Sequence, residues 1–302
     1  MTTTSSKKNW SGKSLASRWQ HEFFFMIIRF GGRWPAYIFS CFVVFFYVLF
    51  KPEVHKRSSF YIAKRFPKAS KPARWYHTWR LCQNLAFSLI DKAAVGIKGP
   101  QEFSYSRNGI EKLQELQKQG NGVILLTVHV GPWQSALGAL DELDVPVHLM
   151  VYRDSGDVDL QYFDFKTCKN ITIVSAEDAI GSVVAMTAAL RRNELISIMG
   201  DRIVPPTSYT ASVNFLGGKA LFPTSVYKFA KGTQAPIALL TTRKVGASHM
   251  ELSVAKVLTV PKSAGGDFTP YAQEIANSLD KYVQKNPYQF YNFFDLWRTT
   301  NE

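Results

Sequence analysis

After Gly99-Pro100 the chain alternates between short runs almost free of charge and amphipathic stretches of helical period, and this alternation limits the possible folds most severely. Val123–Val128 is followed by Gly131–Leu143 and then Val145–Val151; Ile171–Val174, Glu177–Arg192 and Leu195–Met199 repeat the pattern. Runs so short and uniformly apolar suit strands covered on both faces, and strands joined through helices run parallel. Asn108–Gln119 reads as an amphipathic helix stopped by Gly120 or Gly122. Downstream, Pro223–Lys231 reads as a helix, Ala235–Thr242 and His249–Val257 as strands, and Phe268–Lys285 as a last helix. The predicted fold class is α/β, a mostly parallel central sheet flanked by helices. The acidic stretch Asp154–Asp164 has no strong period and reads as a solvated loop or short helix.

The first third of the chain obeys a different rule. Residues 1–100 carry 17 of the 36 Lys and Arg but only Glu22, Glu53 and Asp91, so the net charge of +13 resides there. A nucleic-acid enzyme distributes its basic residues around a working groove. Here they are confined to a segment rich in Phe, Trp and Tyr, a combination that suits the headgroup layer of an anionic membrane and excludes nucleic acid as the expected partner. Ala36–Phe50 is uncharged for 15 residues. As a helix it would be about 22 Å long, short of the ~30 Å hydrocarbon layer, and it has Arg29 and Arg33 before it and Lys51, Lys56 and Arg57 after it. These features predict a monotopic or re-entrant anchor, or a single short one; the competing reading is a buried core helix. The expected organisation is a membrane-associating helical region over 1–98 and an α/β domain over 99–302, divided somewhere in 95–108.

Cys41, Cys82 and Cys168 are far apart and none lies at metal-ligand spacing from a His, which argues against a disulfide framework or a zinc site. No small-x-small site follows the first apolar stretch, so a retained N-terminus and a reducing compartment are expected. The chain has no P-loop, GxGxxG or GxSxG signature.

Functional groups in a parallel sheet gather at the carboxyl ends of strands. Two motifs lie there. In Thr127-Val128-His129-Val130-Gly131-Pro132-Trp133-Gln134, His129 leaves a buried strand and Gln134 falls in the next helix. A His so placed is either a general base, with an ordinary pKa near 6.5, or a satisfied structural residue. In Gly200-Asp201-Arg202, directly after Leu195–Met199, the Arg can bind phosphate or carboxylate and the Asp can fix the loop or pair with a base; the alternative is a turn with a surface ion pair. Val213–Gly218 and Ala220–Pro223 supply a flexible Gly pair beside apolar residues, which suits either an acyl-chain groove or ordinary core.

Taken in order, His129 with a polar residue five positions on, Gly200-Asp201-Arg202, Phe215-Leu216-Gly217 and Phe222-Pro223 resemble the lysophospholipid acyltransferase-like superfamily. Within it the set is most similar to the late (lauroyl/myristoyl) acyltransferases of lipid A biosynthesis and related glycolipid acyltransferases. Trp10-Ser11-Gly12-Lys13-Ser14 and the aromatic close Pro287-Tyr288-Gln289-Phe290-Tyr291-Asn292-Phe293-Phe294 extend the likeness over most of the chain. The resemblance implies an enzyme on the cytoplasmic face of the bacterial inner membrane. It would move a fatty acyl group from a thioester, on acyl carrier protein or CoA, to a hydroxyl of a lipid or glycolipid acceptor, with no cofactor or metal. His129 would be the general base and Gln134 its partner. Arg202, with Asp201, would bind substrate through a phosphate on donor or acceptor, and Gly131 and Trp133 would form the turn that aims His129.

One residue departs from the family pattern, which has Asp or Glu where this chain has Gln134. A carboxylate fixes the His tautomer and stabilises the imidazolium; an amide oxygen accepts a hydrogen bond but adds no charge. Replacing the corresponding carboxylate by an amide lowers turnover by about 10⁴ in serine proteases. Three outcomes remain open from sequence: Gln134 suffices for an easier acceptor, Asp201 or another carboxylate replaces it in space, or the protein is a catalytically silent relative that binds lipid or scaffolds a partner.

Overall fold

In a computed structural model of the chain, the described residues are 18–136, 140, 145–151, 170–175, 178–203 and 209–297. Trp10-Ser11-Gly12-Lys13-Ser14, Asp154–Asp164, Cys168 and most of the second half of the expected helix Gly131–Leu143 lie outside them.

The apolar runs form one sheet of seven strands. In chain order these are β1 (Ser104–Asn108), β2 (Val123–Thr127), β3 (Val147–Val151), β4 (Ile171–Ser175), β5 (Leu195–Met199), β8 (Ile237–Lys244) and β9 (His249–Leu258). Their spatial order is β1-β9-β8-β2-β5-β3-β4. Every pairing is parallel except β8 with β9, which form a hairpin. Side chains alternate across a strand, so β2 sends Ile124 and Leu126 into one apolar cluster and Val123 and Leu125 into another on the opposite face. Leu113 and Leu116 of α5 (Ile110–Gln117) cover the second cluster. The first is covered by Met186 and Leu190 of α7 (Ala179–Arg191), Val226 and Ala230 of α8 (Ser225–Thr233), and Ile275 and Leu279 of α9 (Thr269–Lys285). Truncating a fully buried Leu such as Leu126 to Ala costs about 2–5 kcal/mol in such a setting.

The differences from the sequence reading have local causes. Strand β1 was not foreseen because Ser-Tyr-Ser-Arg-Asn carries no apolar run; it is a half-exposed edge. Asn108 therefore ends a strand, and the helix expected from that residue begins at Ile110 after left-handed Gly109. Strand β3 starts at Val147 because Pro146 has no N–H to give the ladder. The supposed flexible Gly pair belongs to an antiparallel hairpin, β6 (Thr210–Phe215) and β7 (Gly218–Pro223). Its two-residue turn, Leu216-Gly217, has positive φ at both positions (48° and 72°), the geometry tight hairpins require.

Four helices precede the sheet: α1 (Arg18–Gly31), α2 (Arg33–Phe50), α3 (Pro52–Arg65) and α4 (Lys71–Lys98). Left-handed Gly32 separates the first two, and Pro52 and Pro72 stand in the opening turns of α3 and α4. Among the described helices, α2 alone is long and apolar enough to cross a membrane. It is not a core helix, because it buries only Arg33, Ala36, Tyr37, Ser40 and Val48 while Ile38, Phe42, Phe46, Leu49 and Phe50 are exposed.

Two buried polar contacts fasten α2 to the body. Arg33 lies 4.4 Å above the Phe103 ring and donates from Nη1 to the Glu102 carbonyl at 2.9 Å and from Nη2 to the Ser248 hydroxyl. Tyr37 donates its hydroxyl hydrogen to Asp91, whose carboxylate also receives Nζ of Lys244 at 2.6 Å. Asp91 has no solvent exposure. Burial pushes the Asp91 carboxyl up and the Lys244 ammonium down, against the attraction between them.

Candidate functional site

The register of the two central strands builds the site. Thr127 of β2 lies beside Met199 of β5, and the chain leaves both strands in the same direction. His129 and Asp201 each come two residues later, so they emerge at the same level and on the same side although 72 residues separate them. The Gly200 N–H donates to the Thr127 carbonyl at 2.8 Å and continues the ladder up to the pair.

Both side chains are buried, His129 at 9% exposure and Asp201 at 3%. Nδ1 of the ring lies 2.8 Å from Oδ1 and 3.1 Å from Oδ2 of Asp201, and the His129 backbone N–H donates to Oδ2 at 3.0 Å. Burial raises the Asp201 carboxyl, but the His129 and Arg202 charges and the hydrogen bonds from His129 outweigh it, and the net shift is downward. An ionised Asp201 only accepts, which places the ring proton on Nδ1 and the lone pair on Nε2, which has no hydrogen-bond partner among the described residues. Burial also lowers His129 below its ordinary 6.5; Asp201 opposes this shift and Arg202 adds to it. The imidazole is therefore neutral at neutral pH, the form a general base needs.

The turn that carries His129 is held from three sides. The His129 carbonyl accepts from the Tyr291 N–H at 2.9 Å, and the Gly131 N–H donates to the Gln289 carbonyl at 2.7 Å. Thr242, in β8, donates its hydroxyl to the Val130 carbonyl at 2.6 Å. Gly131 has φ +53°, and a Cβ there would stand 2.1 Å from the Thr242 carbonyl oxygen. The Gln289 side chain closes the frame like a short strand: it accepts from the Lys244 N–H at 2.8 Å and donates to the Lys244 carbonyl at 3.0 Å.

The structure groups the candidates from sequence as follows. His129 and Asp201 come together, and Nδ1 is taken by Asp201 rather than by Gln134, which is half-buried in α6 (Trp133–Ala136). The carboxylate that lies against the ring thus comes from elsewhere in the chain, 72 residues on. Trp133 meets the His129 ring edge to face at 4.9 Å. Arg202 is half-buried, with its guanidinium 5.8 Å from the Phe294 ring. The N–H groups of Gly131 and Trp133 are both occupied, the former by the Gln289 carbonyl at 2.7 Å and the latter by the Gly131 carbonyl at 3.0 Å, so neither is free to receive an oxyanion. Sequence reasoning missed Thr242, Gln289 and Tyr291 as supports. The only signal for Gln289 and Tyr291 was the aromatic run Pro287–Phe294, which has no period that marks a strand, and Thr242 stood at the end of an expected strand with nothing to mark its contact.

Comparison with protein families matches residues 55–299 to the model described as bacterial lipid A biosynthesis acyltransferase. Comparison with curated proteins yields no match.

Proposed function

Because this chain belongs to the bacterial lipid A biosynthesis acyltransferase family, we propose that it moves a fatty acyl group from a thioester, on acyl carrier protein or CoA, to a hydroxyl of a lipid or glycolipid acceptor. Nε2 of His129 takes the hydroxyl proton as the acceptor oxygen attacks the thioester carbon. The tetrahedral adduct collapses, the C–S bond breaks, and the departing thiolate receives the proton held on the imidazolium. Asp201 keeps Nδ1–H oriented and stabilises the positive ring, the task that a carboxylate five residues after the His performs in the family pattern. Arg202, next to the pair, is assigned to a phosphate on donor or acceptor, and Trp133 to fixing the ring's edge. With no Ser nucleophile motif in the chain, transfer is direct, without an acyl-enzyme.

One observation carries this reading: a buried imidazole with its inner nitrogen on a buried carboxylate and, among the described residues, no hydrogen-bond partner on its outer nitrogen. The working position is the cytoplasmic face of the inner membrane, with residues 1–98 as the membrane-associating region and 99–302 as the catalytic domain. It is supported by the exposed aromatic face of α2 and by the two buried ties at that helix's root, which favour a helix lying in the interface over one crossing alone. A silent lipid-binding relative would have no use for an ordered His–Asp pair. The test is transfer of labelled acyl groups from acyl carrier protein or acyl-CoA into a lipid extract. His129→Ala is expected to abolish transfer; equal turnover in variant and wild type would remove the proposed mechanism.

A further inference from the structure

Apart from the His129 site, the described residues enclose a pocket of ≈ 590 Å³ between α3, the first turns of α4 and the segment Asp295–Trp297. Phe60, Ile62 and Trp297 supply its apolar wall, and Lys64, Arg74 and Asp295 its charges. Nε of Arg74 donates to the Ala69 carbonyl at 3.1 Å, which fixes the plane of the guanidinium. Asp295 is engaged by the Trp297 N–H at 3.0 Å. Among the described residues neither Lys64 nor Arg74 forms an ion pair, so the pocket has two cations against one carboxylate.

Two further contacts show how the pocket is placed. Nζ of Lys64 and the Trp297 ring lie 2.7 and 2.8 Å from where a Cβ of Gly218 would stand, so the missing side chain at the β6–β7 hairpin makes the room for the ammonium. On the opposite side, Nε2 of His55, also in the pocket wall, bonds the Val48 carbonyl at 2.7 Å, and the Phe45 ring meets Trp75 at 5.8 Å. The part of the wall made by His55 thus adjoins the end of α2 where Leu49 and Phe50 are exposed.

Cations beside apolar walls, next to an exposed apolar helix end, suit a ligand that is anionic at one end and greasy at the other. We propose that this pocket binds the phosphate of a membrane-lipid headgroup, with Lys64 and Arg74 as its anion contacts and Phe60 and Ile62 under the first methylenes. An Arg held by one nitrogen still offers its other N–H groups to phosphate oxygens, and a Lys adds a mobile point charge. The inference rests on the functional reading only in that the protein meets lipid. The phosphate belongs either to the acyl acceptor or to surrounding phospholipid.

The test compares two full-length double variants of equal charge: Lys64→Gln/Arg74→Gln in the pocket, and Lys68→Gln/Lys71→Gln in the exposed turn beside it. Co-sedimentation with phosphatidylcholine vesicles doped with phosphatidic acid should weaken for both pairs through the shared loss of charge, and about tenfold more for the first pair than for the second. Inorganic phosphate should compete with wild type and not with the pocket variant. A raised KM for the lipid acceptor assigns the phosphate to the acceptor; lower vesicle affinity without that rise assigns it to surrounding phospholipid. Equal losses in the two variants, no loss in the pocket variant, or a loss confined to binding of acyl carrier protein would each overturn the proposal. The vesicle assay is also run on His129→Ala, whose binding should match wild type, so failure of the acyl-transfer reading stays separable from failure of this one.

Discussion

His129 is held in the state its chemistry requires by burial more than by its partner, since desolvation is the largest influence on the ring and it disfavours the cation. The acid limb of the kcat/KM profile is therefore expected below pH 6.5, and a limb above that value would contradict a buried neutral base. The same shift has a sign for stability. With the folded value depressed, the His129 contribution is fully present above 6.5 and is lost as pH falls from there through the folded value, because the unfolded chain binds the proton first. Asp201→Asn should leave the fold intact and reduce kcat about 10³- to 10⁴-fold, since an amide no longer selects the Nδ1–H tautomer. A loss below about tenfold in a steady-state assay would mean that Asp201 only shapes the loop. Sequence placed both residues at strand ends but could not join them, because which strands are neighbours is a property of the sheet order. It directed attention to Gln134 through spacing along one segment, whereas the carboxylate that lies against Nδ1 follows the adjacent strand.

At the scale of elements, the legible parts were those that bury apolar surface on a fixed period: β2, β5, β8 and α9 lie within two or three residues of the ranges read from sequence. Strand β1 and the β6–β7 hairpin were not legible, the first for want of apolar residues and the second because its identity depends on a turn and on the aromatic packing of Phe215 and Phe222. The side-chain strand made by Gln289 was equally hidden. Gln289→Ala removes two hydrogen bonds to the backbone of Lys244 and loosens the segment that holds Gly131. It should lower kcat about tenfold with little change in KM, whereas a KM effect alone would make Gln289 a substrate contact. The tie under α2 has its own signature. Lys244→Met leaves the buried Asp91 without its ion-pair partner and should destabilise the fold by about 3–5 kcal/mol in chemical denaturation. Adding Asp91→Leu should recover much of that loss, because the two groups stabilise chiefly by compensating each other.

For the whole molecule, the charge noted in the sequence is concentrated in the same third of the chain as the exposed rings of α2. The α/β body is almost neutral, so on the proposed reading the excess is what meets an anionic surface. Phe42→Glu/Phe46→Glu, at positions 70% and 54% exposed, should move the protein from the membrane to the soluble fraction on cell fractionation. Turnover on detergent-dispersed acceptor should persist; retention on the membrane would show that another surface anchors the chain. The register that brings His129 to Asp201 also sets a timetable for synthesis. The apolar helices leave the ribosome first, the ring gains its carboxylate only after residue 201 has followed, and the turn is secured only when Gln289 and Tyr291 arrive. On the proposed reading, a nascent chain can therefore reach the bilayer before its His–Asp pair is assembled.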